Sequence, residues 1–199
     1  MKKHINIRLA VLLVITLLIG LWRVLNNGGQ LTPLANFTPV GALALFGGTY
    51  FVPKVRAYFF PVLIMLISDV VMMQTYFSEY RSGLLYDGWY WTYAAFALMV
   101  FLGTLIKQVS WKNVVATAVG AALVHYIVTD FGVWLGGGIN LATGQPYTRD
   151  WSGFVNCYVA ALPYLRNMLL SNLLYSALLF GSFELASRRF PVLTRPQPS

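Results

Sequence analysis

Four ionisable side chains stand inside long apolar blocks: Asp69, His125, Asp130 and Arg166. A charge at the centre of a bilayer costs ~2.5–3.5 kcal/mol on insertion scales, so each of these groups needs a partner or a task. Carboxylates and a guanidinium can hold a charged or polar solute, and amides and indoles can orient it. Asp69, Asp130 and Arg166 are therefore the expected source of charge, with Asn36, Asn167 and Trp134 as orienting groups. Helical spacing sorts the candidates. Tyr126, Asp130 and Trp134 share one face at i, i+4 and i+8, and so do Asn167, Ser171 and Tyr175. Each stripe joins hydrogen-bonding groups to aromatic surface, which suits the wall of a ligand site. His125 stands five residues before Asp130, about 140° around a helix, and the two are expected to serve different sites. The plain alternative is structural: Asp69 or Asp130 pairs with Arg166, and the asparagines bridge helices.

Enzyme chemistry is poorly signalled. Asp69 sits in Ile67-Ser68-Asp69-Val70, without the Gly-x-Gly-Asp context of intramembrane aspartyl proteases. There is no Gly-x-Ser-x-Gly, no His-Glu-x-x-His and no glycine-rich loop ending in Gly-Lys-Ser/Thr. A zinc site built on His125 and carboxylates is only weakly indicated. The lone Cys157 excludes an internal disulfide framework and a CxxC site, and reads as a small packing residue. The expectation is a non-enzyme with no cofactor.

The elements that must position these residues are membrane helices. Only 10% of the residues are charged and 58% are hydrophobic, with a mean hydropathy of +0.64. A soluble domain carries roughly 25% charged residues, and this chain could not cover a water-facing surface. A span needs ~20 mostly apolar residues to cross a ~30 Å hydrocarbon core. The candidates are Ile7–Leu25, Pro33–Phe51, Arg56–Phe77, Trp89–Ile106, Asn113–Leu135 and Arg166–Ala186. Together they predict a single all-α integral membrane domain over residues 1–199, a bundle of about six transmembrane helices. Lys2, Lys3 and Arg8 before the first apolar run resemble a signal peptide, but Trp22-Arg23 follows with no small-x-small site, so an uncleaved span is expected.

With six alternating spans, Lys2, Lys3, Arg8, Lys54, Arg56, Lys107, Lys112, Arg188, Arg189 and Arg195 share one side. That asymmetry predicts cytoplasmic N- and C-termini in the inner (plasma) membrane of a multi-pass protein. It also explains the net charge of +8 without nucleic acid, because no arm or helix face gathers the basic residues. Asp69 then lies ~20 Å from the cytoplasmic end of its span and Asp130 ~25 Å along its own. Asn36 and Arg166 enter from the outside, with His125 nearer the middle. The polar groups thus converge on the outer half, as in an outward-facing cavity.

Three further expectations concern loops and packing. Pro163 is expected to break Trp151–Ala186, which as one helix would be ~50 Å long, leaving Ser152–Leu162 as a short interfacial or re-entrant helix before the last span. Gly136–Asp150 is the longest loop, either a lid or a solvated connector. Asn26-Asn27-Gly28-Gly29 and Val52-Pro53-Lys54 read as turns. Ala44-x-x-x-Gly48, Ala116-x-x-x-Gly120 and Ala118-x-x-x-Ala122 mark close helix approaches, with intramolecular packing expected over a docking face.

The stretch Asn36-Phe37-Thr38-Pro39-Val40-Gly41-Ala42-Leu43-Ala44-Leu45-Phe46-Gly47-Gly48 resembles the signature of a family of small bacterial membrane proteins labelled as transport proteins of unknown function. Thr129-Asp130-Phe131-Gly132-Val133-Trp134 and Cys157-Tyr158-Val159-Ala160-Ala161-Leu162-Pro163-Tyr164-Leu165-Arg166-Asn167 resemble it too, and the likeness runs from Pro33 to Ala186. Such proteins look similar to the S components of energy-coupling factor transporters. Those are six-helix proteins that hold a vitamin or metal ion in an outward-facing pocket.

The resemblance implies a lipid-embedded, S-component-like protein that binds a small-molecule solute and works with energising transporter subunits. The first span departs from it: Ile7–Leu25 lacks the Ala-x-x-x-Ala motif through which S components dock. A solitary S-like protein, or docking through the second or fifth span, is then expected. The alternative is a membrane scaffold or assembly factor in which the same polar residues only hold helices together.

Overall fold

The computed structural model of the protein describes residues 6–26 and 36–194. Lys2, Lys3, Asn27 to Gly29, the start of the second expected span at Pro33, and Arg195 lie outside the described residues. The described residues form six α-helices: α1 (Ile7–Asn26), α2 (Val40–Tyr50), α3 (Lys54–Thr75), α4 (Trp89–Thr104), α5 (Trp111–Leu135) and α6 (Trp151–Arg189). Two small antiparallel hairpins join them: β1 (Arg81–Ser82) with β2 (Leu85–Tyr86), and β3 (Ile139–Asn140) with β4 (Gln145–Pro146). The second hairpin gives the loop Gly136–Asp150 an ordered backbone.

Side-chain contacts fix the helix directions. Arg8, at the start of α1, donates to the Tyr50 carbonyl at the end of α2 (2.8 Å) and to the Leu193 carbonyl just beyond α6 (3.1 Å). Arg23, near the end of α1, meets Ser68 and Asp69 near the end of α3, so α1 and α3 run the same way. Tyr93, early in α4, reaches back to Asp69, which sets α4 antiparallel to α3. Tyr126 bonds Tyr158, and Asn172 bonds Ala118, which sets α6 antiparallel to α5. Asn36 meets Ser171 and Tyr50 meets Glu184, so α2 and α6 are parallel. Successive helices therefore alternate in direction. One end of the bundle gathers Arg8, Lys54, Arg56, Lys107, Lys112, Arg188 and Arg189, and both hairpins lie at the other.

Among the described residues four helices are long and apolar enough to cross a membrane: Ile7–Leu25, Lys54–Thr75, Trp111–Leu135 and Trp151–Arg189. Their outer faces carry rows of exposed apolar side chains. Leu170, Leu174 and Leu178 on α6 are one such row, a surface made for lipid rather than water. The chain is thus a helical membrane protein.

The other two helices are shorter than the sequence predicts. α4 has 16 residues and α2 only 11, about 24 Å and 17 Å at 1.5 Å per residue. The expected helical start of α2 fails because Asn36 takes a left-handed conformation (φ 65°) and Pro39 occupies the cap, which disfavours helix just before it. α2 touches every other helix, and Gly41 to Tyr50 are all buried. A backbone enclosed by protein is released from the length that lipid demands.

α2 packs closest against α4. A side chain at Gly48 would run into the Val100 carbonyl and the Gly103 backbone, and one at Gly103 would meet the Leu45 backbone. Thr49 closes the contact by donating to the carbonyls of Leu45 (2.8 Å) and Gly103 (3.0 Å). The small residues of α2 therefore serve intramolecular packing. On its other side Phe46 sits edge-on to Phe180 and Phe183, at 5.6 and 5.3 Å between ring centres.

The expected break at Pro163 does not occur. α6 runs through it as one helix of 39 residues, about 58 Å long, and no separate interfacial helix precedes it. A proline forfeits one helical hydrogen bond and crowds the carbonyl four residues earlier, here Val159. Both residues are exposed, so local adjustment meets no packed neighbour. Meanwhile α5 grips α6 on both sides of the proline, at Tyr158 and at Asn172.

Candidate functional site

Asp69 on one side, and Asn36, His125 and Asp130 on the other, mark two polar places, both in the hairpin half of the bundle. The first is an ionic cluster between α1, α3 and α4. Asp69 is 1% exposed, and the Arg23 guanidinium stands 2.6 Å from its Oδ1. Arg23 also donates to Ser68 Oγ at 2.5 Å, and Tyr93 donates to Asp69 Oδ2 at 2.9 Å. Both carboxylate oxygens are thus engaged and the charge is neutralised locally. The hairpin β1–β2 lies alongside at Tyr86. Burial, partly offset by a hydrogen bond to Thr92 and reinforced by the Asp69 carboxylate, pushes the Tyr86 phenol up to about 12.

The second place is a cavity of about 50 Å³ between α5, α6 and the segment that enters α2. Asn36 lines it from that segment; Ala122, His125, Tyr126, Thr129 and Asp130 line it from α5, and Tyr164, Leu165 and Met168 from α6. On a helix the α5 residues spread over an arc of about 140°, with Ala122 near its middle. The small Ala122 side chain leaves the space, and the flanking polar ones surround it. His125 and Asp130 therefore share one site, against the expectation from their spacing, because the cavity spans the whole arc rather than a single ridge.

The hydrogen bonds around the cavity are directional. Tyr126 donates to the Tyr158 carbonyl at 2.7 Å, and Thr129 donates to the His125 carbonyl at 2.7 Å. The Asn36 carbonyl accepts from Ser171 at 3.4 Å, and Phe37 packs on Tyr175, with ring centres 5.9 Å apart. Ser171 and Tyr175 of the expected stripe thus steady the entry to α2. Among the described residues, the Asp130 carboxylate has no ion-pair or hydrogen-bond partner. Only the Asp130 backbone is engaged, its carbonyl facing Cys157 Sγ at 3.6 Å.

The remaining candidates stand apart from the cavity. Trp134 donates its indole N–H to the Thr148 carbonyl at 2.9 Å and packs between Phe131 and Phe154, so it fastens the second hairpin to α5. Arg166 is exposed and pairs with neither aspartate, and Asn167 is half-buried one position before the lining residue Met168. The Asp–Arg pairing open from the sequence is instead Arg23 with Asp69.

Below the hairpin β3–β4, Asp150 caps α6. Its Oδ1 accepts from the Gly153 N–H and from the Thr148 hydroxyl, both at 2.7 Å. Those bonds hold the Asp150 carboxyl below the usual carboxylate range. Among the described residues no group of three or more His, Cys, Asp or Glu side chains is placed to hold a metal ion.

A family model described as a family of unknown function (DUF6580) matches residues 3–193, and the chain belongs to that family. No curated protein and no solved structure matches the chain.

Proposed function

We propose that this member of a family of unknown function is a transport protein of S-component type that captures a small solute in the cavity beside Asp130. The observation that carries the reading is the convergence of Asn36, His125, Tyr126, Thr129, Asp130 and Tyr164 on one space between α5, α6 and the entry to α2. Sites of this kind, concave and with a few polar groups, are where bundles bind small molecules.

The cavity opens in the half of the bundle opposite the basic end. If that basic end is cytoplasmic, as the charge rule has it, the cavity faces outward in the plasma membrane. Alternating helices then make six crossings, with α2 and α4 as short ones shielded by their neighbours. In its present shape the space takes a few water-sized atoms, far less than the ~300 Å³ of a drug-sized site. That favours the metal-ion end of the solute range over the vitamin end. Asn36 and Asp130 are the binding residues of the original set. Trp134 acts by holding the hairpin, and Asn167 and Arg166 offer polarity and charge on α6 beside the lining residues Leu165 and Met168. An energising subunit would meet α5, where Ala116 of the small-residue stripe is exposed, since the α2 stripe is covered by α4.

A second reading, a scaffold or assembly factor, is favoured by the complete pairing of Asp69 with Arg23 and Tyr93. Native mass spectrometry of the detergent-purified chain separates the two. A stoichiometric small adduct, lost in Asp130→Ala, supports capture. An adduct-free spectrum, together with no binding of added solutes, sinks it in favour of the scaffold.

A further inference from the structure

We infer that the cavity between α5 and α6 is selective for a compact cation, with Asp130 as its counter-charge. The inference rests on the proposed solute-binding role and names the class of solute.

Acceptors outnumber fixed donors around the cavity. Asp130 brings an unpaired carboxylate, which accepts hydrogen bonds and donates none when ionised. A hydroxyl has one hydrogen, and those of Thr129 and Tyr126 are already committed to the carbonyls of His125 and Tyr158. Both oxygens can offer only lone pairs to an occupant. His125, Asn36 and Tyr164 can each turn either way. None of the first-turn residues of α2 lines the space, so the free amides of that helix add no donors.

Among the described residues no cationic side chain lines the position. Arg23 is held by Asp69, Arg81 donates to Gln74, and Arg166 does not line the cavity. An anion would meet the Asp130 charge and fixed lone pairs, and a neutral acceptor would leave the carboxylate unanswered. A positive charge with hydrogens or empty coordination positions satisfies all of them. Size narrows the class further, because about 50 Å³ excludes a cofactor-sized body. The shared chemistry is that of a small primary ammonium or a metal ion, and His125 separates the two: an imidazole nitrogen is a strong metal ligand, whereas for an ammonium it is one acceptor that a glutamine carbonyl replaces.

The test is isothermal titration of the protein in nanodiscs with methylammonium chloride, manganese or zinc chloride, sodium formate and urea, all of four heavy atoms or fewer. One of the cations should bind saturably at one site, with at least a tenfold loss in Asp130→Asn. His125→Gln should weaken a metal ion tenfold and leave methylammonium nearly unchanged. Formate or urea binding in preference to every cation overturns the inference while leaving a solute-binding protein. The same holds for cation binding that Asp130→Asn does not weaken. Binding of none of the four probes, with no co-purified adduct, removes both the inference and the reading beneath it. Competition by formate against a bound cation in the unaltered protein gives an answer even where a variant is lost in membrane insertion.

Discussion

Arg23 of α1 and Asp69 of α3 lie 2.6 Å apart with the Tyr93 hydroxyl on the second carboxylate oxygen, and this trio closes one end of α1 onto the bundle. Arg8 closes the other end by bonding the Tyr50 and Leu193 carbonyls. The first helix is therefore pinned by a guanidinium near each terminus, and the rest of its inner face is apolar packing such as Gly20 against Ile64.

Removing one partner of that pair leaves an uncompensated buried charge, a loss of about 3–5 kcal/mol in comparable sites. Asp69→Ala should lower the thermal midpoint sharply, and Arg23→Met with Asp69→Leu together should restore most of it. Thermal unfolding in detergent checks this. An Asp69→Ala protein as stable as the parent but unable to bind solute would move Asp69 back among the ligand groups.

Ala122→Leu should fill the cavity and abolish solute binding, at an overpacking cost of about 1–3 kcal/mol. Ala116→Leu, on the exposed side of the same helix, should leave binding intact. Titration of both variants with the cation that binds decides the matter, and equal behaviour would place the site elsewhere.

Gly48→Ala and Gly103→Ala should each separate α2 from α4, because the added carbon meets backbone rather than a movable side chain. The expected loss is about 1–3 kcal/mol. Gly83→Ala meets nothing within 4 Å but carries a left-handed φ of 77°, so it should disturb only the first hairpin. Unfolding midpoints rank the three.

The Asp150 cap carries a pH dependence of definite sign. Its carboxyl is held low by the Gly153 amide and Thr148 hydroxyl. Its contribution is therefore present above the unfolded value, about 3.9, and is lost as pH falls through the lower folded one. Hydrogen-exchange protection factors in the first turn of α6, which remove the intrinsic pH dependence of exchange, should fall below that point. In Asp150→Asn, where the amide still caps, the protection factors should be flat over the same range.

Ser82→Cys and Gln108→Cys, both at exposed positions, should label from opposite faces of sealed right-side-out vesicles with an impermeant thiol reagent. Ser82→Cys is expected to react from outside and Gln108→Cys only after lysis. The reverse pattern would turn the cavity toward the cytoplasm.

Much of this arrangement can be read along the chain. The apolar blocks locate all six helices, and Asn36 and Asp130, named for their depth, do meet at one cavity. The sequence reading fails where a property belongs to a pair of distant segments. Arg23 reads only as the close of the first apolar run until α3 brings Asp69 beside it. Pro163 looks like a break until α5 is seen holding α6 on both sides. His125 and Asp130 look separate because helical angles describe ridges, and a cavity can be wider than a ridge. Thr129 and Tyr164 gave only a weak signal, for hydroxyls declare a role through the partners they find.

The enclosure of α2 on all sides bears on biogenesis. A segment of 11 helical residues, with five other helices around it, has little stabilisation to gain from lipid by itself. Although it leaves the ribosome second, its native surroundings are complete only when α6 has arrived. Insertion of this chain should therefore be a late, concerted closure around a waiting segment, and nascent chains truncated before α6 should leave that segment accessible to the quality-control proteases of the membrane.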